Sequence, residues 1–182
     1  MRLFFALTLP ARIRAVLNDW QQLWSTSMDK TNVKWVREEN LHLTLKFLGQ
    51  VAPDQLSHIV PAVRLAMAEQ LPLTLTLGGI GAFPNPRRAR VLWVGLQKGA
   101  TELNELHQRL DSELANLGFP PEKRTFIPHL TLGRLRQPAR LGTPPSLTDG
   151  LTFQGDRIVL YESILKPRGP LYKPLATFYF KH

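Results

Sequence analysis

The chain has 182 residues, no cysteine, and 23 Lys and Arg against 14 Asp and Glu, giving a net charge of +9. The lack of cysteine excludes a disulfide scaffold and any thiolate metal or redox site, and no apolar run reaches the roughly 18 residues of a membrane span. The charge favours a polyanionic partner, most simply nucleic acid, over a generic basic surface.

Arg2-Leu3-Phe4-Phe5-Ala6-Leu7 reads as a buried strand. A signal-peptide reading of 1–11 is rejected, because the apolar run is short and Arg12 and Arg14 follow at once. The cytoplasm is the expected compartment. Pro10 opens a helix whose stripe is Ile13, Val16, Leu17, Trp20, Leu23 and Trp24. His42-Leu43-Thr44-Leu45 follows as a strand. Residues 53–70 have helical spacing, with Pro61 expected to kink the helix or delay its start. Residues 73–77 alternate as a strand. Gly78-Gly79-Ile80-Gly81 imitates a phosphate loop but opens no helix and has no following Lys-Ser/Thr, so a bulge or turn is expected. Asn85-Pro86 marks a hairpin-like connection.

Arg90-Val91-Leu92-Trp93-Val94-Gly95 is the next strand. A helix with Leu103, Leu106, Leu110, Leu114 and Leu117 follows, with Thr101 as the expected N-cap and Gly118 as its stop. Then comes His129-Leu130-Thr131-Leu132. Residues 136–150 are rich in Pro, Gly and Thr, without periodicity, and read as a long surface loop. Residues 151–153, 157–165 and 175–180 are strand-like. Basic residues flank the second motif, as Arg87-Arg88-Arg90, Lys123-Arg124, Arg134-Arg136-Arg140 and Lys166-Arg168-Lys173.

The tetrapeptide H-L-T-L thus occurs twice, each time after a strand and a helix, with run-ups of 40 residues from Arg2 and 39 from Arg90. In a strand, His and Thr at i and i+2 share one face and the two Leu share the other. The repeat therefore predicts an α+β fold: one domain over 1–182, built of two pseudo-symmetric lobes. The pattern is mostly antiparallel, and the two faces, if they meet, make a cleft with a histidine on either side.

Two facing imidazoles can give and take a proton near neutral pH. Across a phosphorus centre, one activates the entering oxygen and the other protonates the leaving one. Thr44 and Thr131 would bond the non-bridging oxygens, with an arginine adding charge. No acidic residue accompanies either motif, so no metal and no cofactor is expected, although the two histidines could share a metal. No G-x-S-x-G elbow supports a serine nucleophile.

At these residues the chain resembles the two-histidine phosphoesterase superfamily. Within it, the chain is similar to the bacterial and archaeal RNA 2′,3′-cyclic phosphodiesterases, also called 2′-5′ RNA ligases. The likeness rests on 2–7, Asn40 to Leu45 with Phe47-Leu48-Gly49, 90–93, Pro128 to Leu132 with Arg134, and 160–163. It implies a bilobal fold, with two mostly antiparallel sheets lining a central cleft and helices outside, and hydrolysis of RNA 2′,3′-cyclic phosphate ends to 2′-phosphomonoesters, without metal or nucleotide. It also implies His42 as the acid for O3′, His129 as the base for water, and Thr44, Thr131 and Arg134 as phosphate holders. The duplicated sequence leaves the acid and base roles of the two histidines symmetric.

The competing readings are ATP-independent, reversible 2′-5′ ligation at the same site and a non-catalytic RNA-binding module. A monomer is the expected state. Strand parity places Phe47 in the core and Lys46 on the His42 face. His58 and His107 are expected partly exposed on helices, and His182 disordered.

Overall fold

The computed structural model describes residues 1–29, 32–144, 146, 151–167 and 169–181. Among these residues, nine strands make one continuous antiparallel sheet. They are β1 (Arg2–Thr8), β2 (Val33–Trp35), β3 (His42–Gln50), β4 (Leu73–Phe83), β5 (Ala89–Lys98), β6 (Leu130–Ala139), β7 (Thr152–Gly155), β8 (Arg157–Lys166) and β9 (Gly169–Tyr179). Three α-helices accompany them: α1 (Ala11–Ser25), α2 (Leu56–Ala66) and α3 (Ala100–Ala115).

The strand order is β7-β4-β5-β6-β3-β1-β8-β9, with β2 paired to β6. Read from the middle outward, the two sides match. β3 and β6 carry the H-L-T-L repeats, and β1 and β5 are the strands that precede them. The expected two sheets are therefore two halves of one, joined at a single ladder position, Leu43 opposite Leu130. The C-terminal β8–β9 hairpin completes the N-terminal half by pairing with β1.

The helices form because their apolar residues fall on one face, and that face covers the sheet. Ile13, Leu17, Trp20 and Trp24 of α1 and Leu103, Leu106, Leu110 and Leu114 of α3 are buried in one core. Against them lie alternate strand residues, including Leu3, Phe5 and Leu7, Leu43 and Leu45, and Leu130 and Leu132. The opposite face at the seam stays uncovered by helices and carries the histidines.

Several local expectations need correction. α3 begins at Ala100 with Gly99 as its N-cap, not Thr101, because Gly99 takes φ +85, a conformation open to glycine. Gly118, at φ +89, does end that helix. Pro61 lies inside α2, which a short 3-10 turn at Pro53–Gln55 precedes. Gly78 and Gly79 form a bulge within β4, as expected of the 78–81 stretch, with Gly79 at φ +74. Residues 136–139 belong to β6 rather than to a loop, because Asn32 and Ala89 supply ladder partners distant in sequence. Strand β2 had no sequence signal. The expectation for His182 lies outside the described residues.

Candidate active site

The two histidines are held alike. His42 Nδ1 donates to the Asn40 carbonyl at 2.7 Å, and His129 Nδ1 donates to the Ile127 carbonyl at 2.7 Å. A carbonyl only accepts, so each Nδ1 carries the proton and each Nε2 presents its lone pair. His42 Nε2 lies 2.9 Å from Thr44 Oγ1. Aromatic rings from four strands pack against the imidazoles. Phe4 and Tyr172 flank His42 at 5.1 and 5.2 Å, and Phe83 and Trp93 flank His129 at 5.0 and 6.2 Å. Trp93 reaches its place because Gly81 lies opposite it, where a Cβ would stand 2.1 Å from the indole.

A cavity of about 390 Å³ opens at the seam. His42, Thr44, Phe47, Thr131, Arg134 and Tyr172 are among its walls. His129 is half-buried beside it, close enough for its charge to act on His42. The structure thus brings together His42, Thr44, Thr131 and Arg134, with His129 at the margin. Burial lowers the His42 pKa to about 4; its bond to Asn40 opposes this, and the His129 and Arg134 charges add to it. His129 is also lowered, by burial first and then by Arg134, against the bond to Ile127. Both rings are neutral at pH 7 when the cleft is empty. Among the described residues, no three His, Asp or Glu side chains converge as metal ligands.

Strand parity misplaced two residues. Phe47 is exposed and lines the cavity, whereas Lys46 is buried to 2% exposure in an ion pair with Asp111. The cause is a β-bulge. Phe5 faces Lys46 and Ala6 faces Thr44, which leaves Leu45 without a ladder partner. The second repeat has the same bulge. Leu92 faces Gly133 and Trp93 faces Thr131, which leaves Leu132 unpaired on β5. The last Leu of each motif is the extra residue, and the bulge turns the fifth residue after each histidine toward the cleft. That residue is Phe47 in one half and Arg134 in the other, and both line the cavity. His107 is likewise not a surface residue: it is 9% exposed and stacks on Phe126 at 4.0 Å. His58 is exposed, as expected.

A mirrored antiparallel sheet with an H-x-T face on each side of its seam defines a two-histidine phosphoesterase. The chain belongs to the LigT-like phosphoesterases, whose family model matches it twice, over residues 7–93 and 94–172. It is 35% identical to an RNA 2′,3′-cyclic phosphodiesterase of Methanocaldococcus jannaschii over 98% of this chain and 100% of that one. It is 33% identical to the enzyme of that name from Escherichia coli over 97% and 95% of the two chains. The crystal structure of E. coli LigT complexed with 3′-AMP matches with a TM-score of 0.84 at 30% identity, covering 100% of this chain and 98% of the other. The TT0787 protein of Thermus thermophilus matches with a TM-score of 0.86, also at 30% identity and with both chains fully covered.

Proposed function

We propose that this protein hydrolyses RNA 2′,3′-cyclic phosphate ends to 2′-phosphomonoesters, with His42 and His129 as its acid and base. The carrying observation is that both rings are tied at Nδ1, which leaves each Nε2 for proton transfer, with His42 Nε2 against Thr44 Oγ1 in the cleft and His129 at its margin. Water attacks phosphorus and gives its proton to His129 Nε2. The P–O3′ bond breaks, and O3′ takes a proton from His42 Nε2. The product carries a 2′-phosphate and a free 3′-hydroxyl. The two histidines finish with exchanged protons, and solvent resets them. Thr44, Thr131 and Arg134 stabilise the charge that grows on the non-bridging oxygens.

The burial difference supports these roles. His42 lies deeper, where the sugar oxygen would sit, and His129 lies nearer to the water that it would activate. Since His42 is neutral in the empty cleft, it takes up its proton when the phosphate anion arrives, because an adjacent negative charge favours the imidazolium. No helix among the described residues is long and apolar enough to cross a membrane.

The test is incubation with adenosine 2′,3′-cyclic phosphate in excess EDTA. Formation of 2′-AMP is expected. No turnover, or turnover that requires added metal, overturns the reading, and a 3′-AMP product overturns the role assignment.

A further inference from the structure

Beside the catalytic cleft lies a second cavity of about 160 Å³, lined by Lys34, Trp35, Arg37 and Gly169. It shares Val36, Asn40, Arg134, Pro170 and Tyr172 with the first. Lys34 and Arg134 are direct cross-strand partners on β2 and β6. Like charges directly opposite each other destabilise a strand pair. No acidic side chain is placed against either cation among the described residues. Such a pair becomes favourable when an anion sits between its members. We propose that Lys34 binds the internucleotide phosphate on the 5′ side of the terminal nucleotide, with Arg134, which lines both cavities, between that phosphate and the cyclic one, so that the enzyme favours oligonucleotide ends over mononucleotides.

This inference rests on the phosphodiesterase reading. The test compares adenosine 2′,3′-cyclic phosphate with the dinucleotide ApA 2′,3′-cyclic phosphate, by turnover and by Kd. In wild type the dinucleotide is expected to be preferred. Lys34→Gln should lower that preference about fivefold, as for one solvated ion pair, leaving the mononucleotide unchanged. It should also flatten the salt dependence of dinucleotide binding by about 0.7 in log–log slope, one single-strand phosphate contact. A wild type without preference, or an unchanged Kd ratio in Lys34→Gln, overturns the subsite. Absent turnover with a changed Kd ratio overturns the phosphodiesterase reading alone.

A separate observation concerns the twin bulges. Each leaves its Leu without a partner on the preceding strand, and a buried side chain from a helix of the opposite half bonds that Leu's carbonyl, which at Leu132 also accepts from Val36 N–H at 2.8 Å. Gln21 on α1, 3% exposed, donates from Nε2 to Leu132 O at 2.7 Å and to Val36 O at 3.1 Å. His107 on α3 donates from Nδ1 to Leu45 O at 3.0 Å. We infer that Gln21 and His107 are positioning residues: they pin the two bulges and so aim Arg134 and Phe47 at the substrate.

Double-mutant cycles on adenosine 2′,3′-cyclic phosphate turnover test this. Gln21→Met should lower kcat/KM about tenfold in wild type and less than twofold in an Arg134→Met background. His107→Phe keeps the stack on Phe126 but loses the donor, and it should behave likewise against Phe47→Ala. His107→Asn restores a donor and should recover most of the loss. The crossed pairs, Gln21 with Phe47 and His107 with Arg134, should multiply, because distant independent sites are additive. The same cycles on 2′-AMP Kd read the geometry even without turnover. If Gln21→Met does not fold, Gln21→Asn, which withdraws the amide by one methylene, replaces it. Equal coupling in matched and crossed pairs, or no rescue by His107→Asn, overturns the inference.

Discussion

Leu43 and Leu130 occupy the same position in the two H-L-T-L repeats, and they face each other as ladder partners at the centre of the sheet. A contact between equivalent residues marks the molecule's pseudo-two-fold axis. Each histidine precedes its Leu by one residue, so the axis sets the imidazoles on the uncovered face, one from each half. The cleft arises because this is the only ladder position that β3 and β6 share among the described residues.

The first prediction concerns stability at low pH. The His42 pKa is about 4 in the folded protein and 6.5 when unfolded. Below pH 6.5 the unfolded chain binds a proton that the folded one refuses, so stability falls as pH falls. The loss should approach about 3 kcal/mol near pH 4, at about 1.4 kcal/mol per pH unit. His42→Asn should flatten this part of the curve. Urea unfolding between pH 7 and 4 measures it, and equal slopes in the two proteins would refute it.

Activity should follow a different pH window in its two parameters. kcat/KM reports the free enzyme, where both histidines are depressed, so its bell should centre below pH 6.5. kcat reports the complex, where phosphate raises both values, so its bell should lie at higher pH. The apparent values belong to the pair. Coincident profiles would contradict this account.

Removal of either imidazole should be severe. His42→Ala and His129→Ala should each lower kcat by about 10² to 10⁴, the usual worth of one acid or base. Their circular dichroism and melting should stay close to wild type at pH 7. A fully active variant of either contradicts the mechanism.

Gly81→Ala tests the backing of His129. The added methyl would overlap Trp93, and the displaced indole would move against His129. A stability loss of about 1–3 kcal/mol from overpacking is expected. A fall in kcat should accompany it. Gly81→Ala together with Trp93→Leu should restore stability while the rate stays low.

The buried Lys46–Asp111 pair yields a last prediction. Lys46 Nζ also donates to Pro120 O at 2.8 Å. Lys46→Met leaves Asp111 uncompensated and should cost about 3–5 kcal/mol. The double variant Lys46→Met/Asp111→Leu should recover most of it, because an apolar pair carries no desolvation cost. Chemical denaturation of the three proteins checks both.

Much of the site was legible in the chain. The repeated H-L-T-L with its strand-and-helix run-up located His42, Thr44, His129 and Thr131, because a strand's period of two is a local property. The Leu spacing of α1 and α3 was equally plain. Phe47 and Lys46 were misread for one reason. Parity counting assumes an unbroken ladder, and the bulge at Leu45 reverses the faces of Lys46 and Phe47. No local signal in Leu45-Lys46-Phe47 announces that bulge. A second clue was present: the same parity puts Arg134 on the Leu face of its strand, in conflict with its expected role. His107 was misread because its burial depends on Phe126 and Leu45, which lie elsewhere in the chain.

The amino-acid sequence alone established the duplication, the α+β class and the two imidazole faces, since these follow from periodicities a few residues long. Long-range packing decided the rest. Pairing of β3 with β6 at Leu43 and Leu130 joined the halves into one sheet. Helices α1 and α3, each reaching to the opposite half, bond the carbonyls of Leu132 and Leu45 with Gln21 and His107. Those hydrogen bonds join residues far apart in the chain, so the orientation of Arg134 and Phe47 depends on partners that no local window contains.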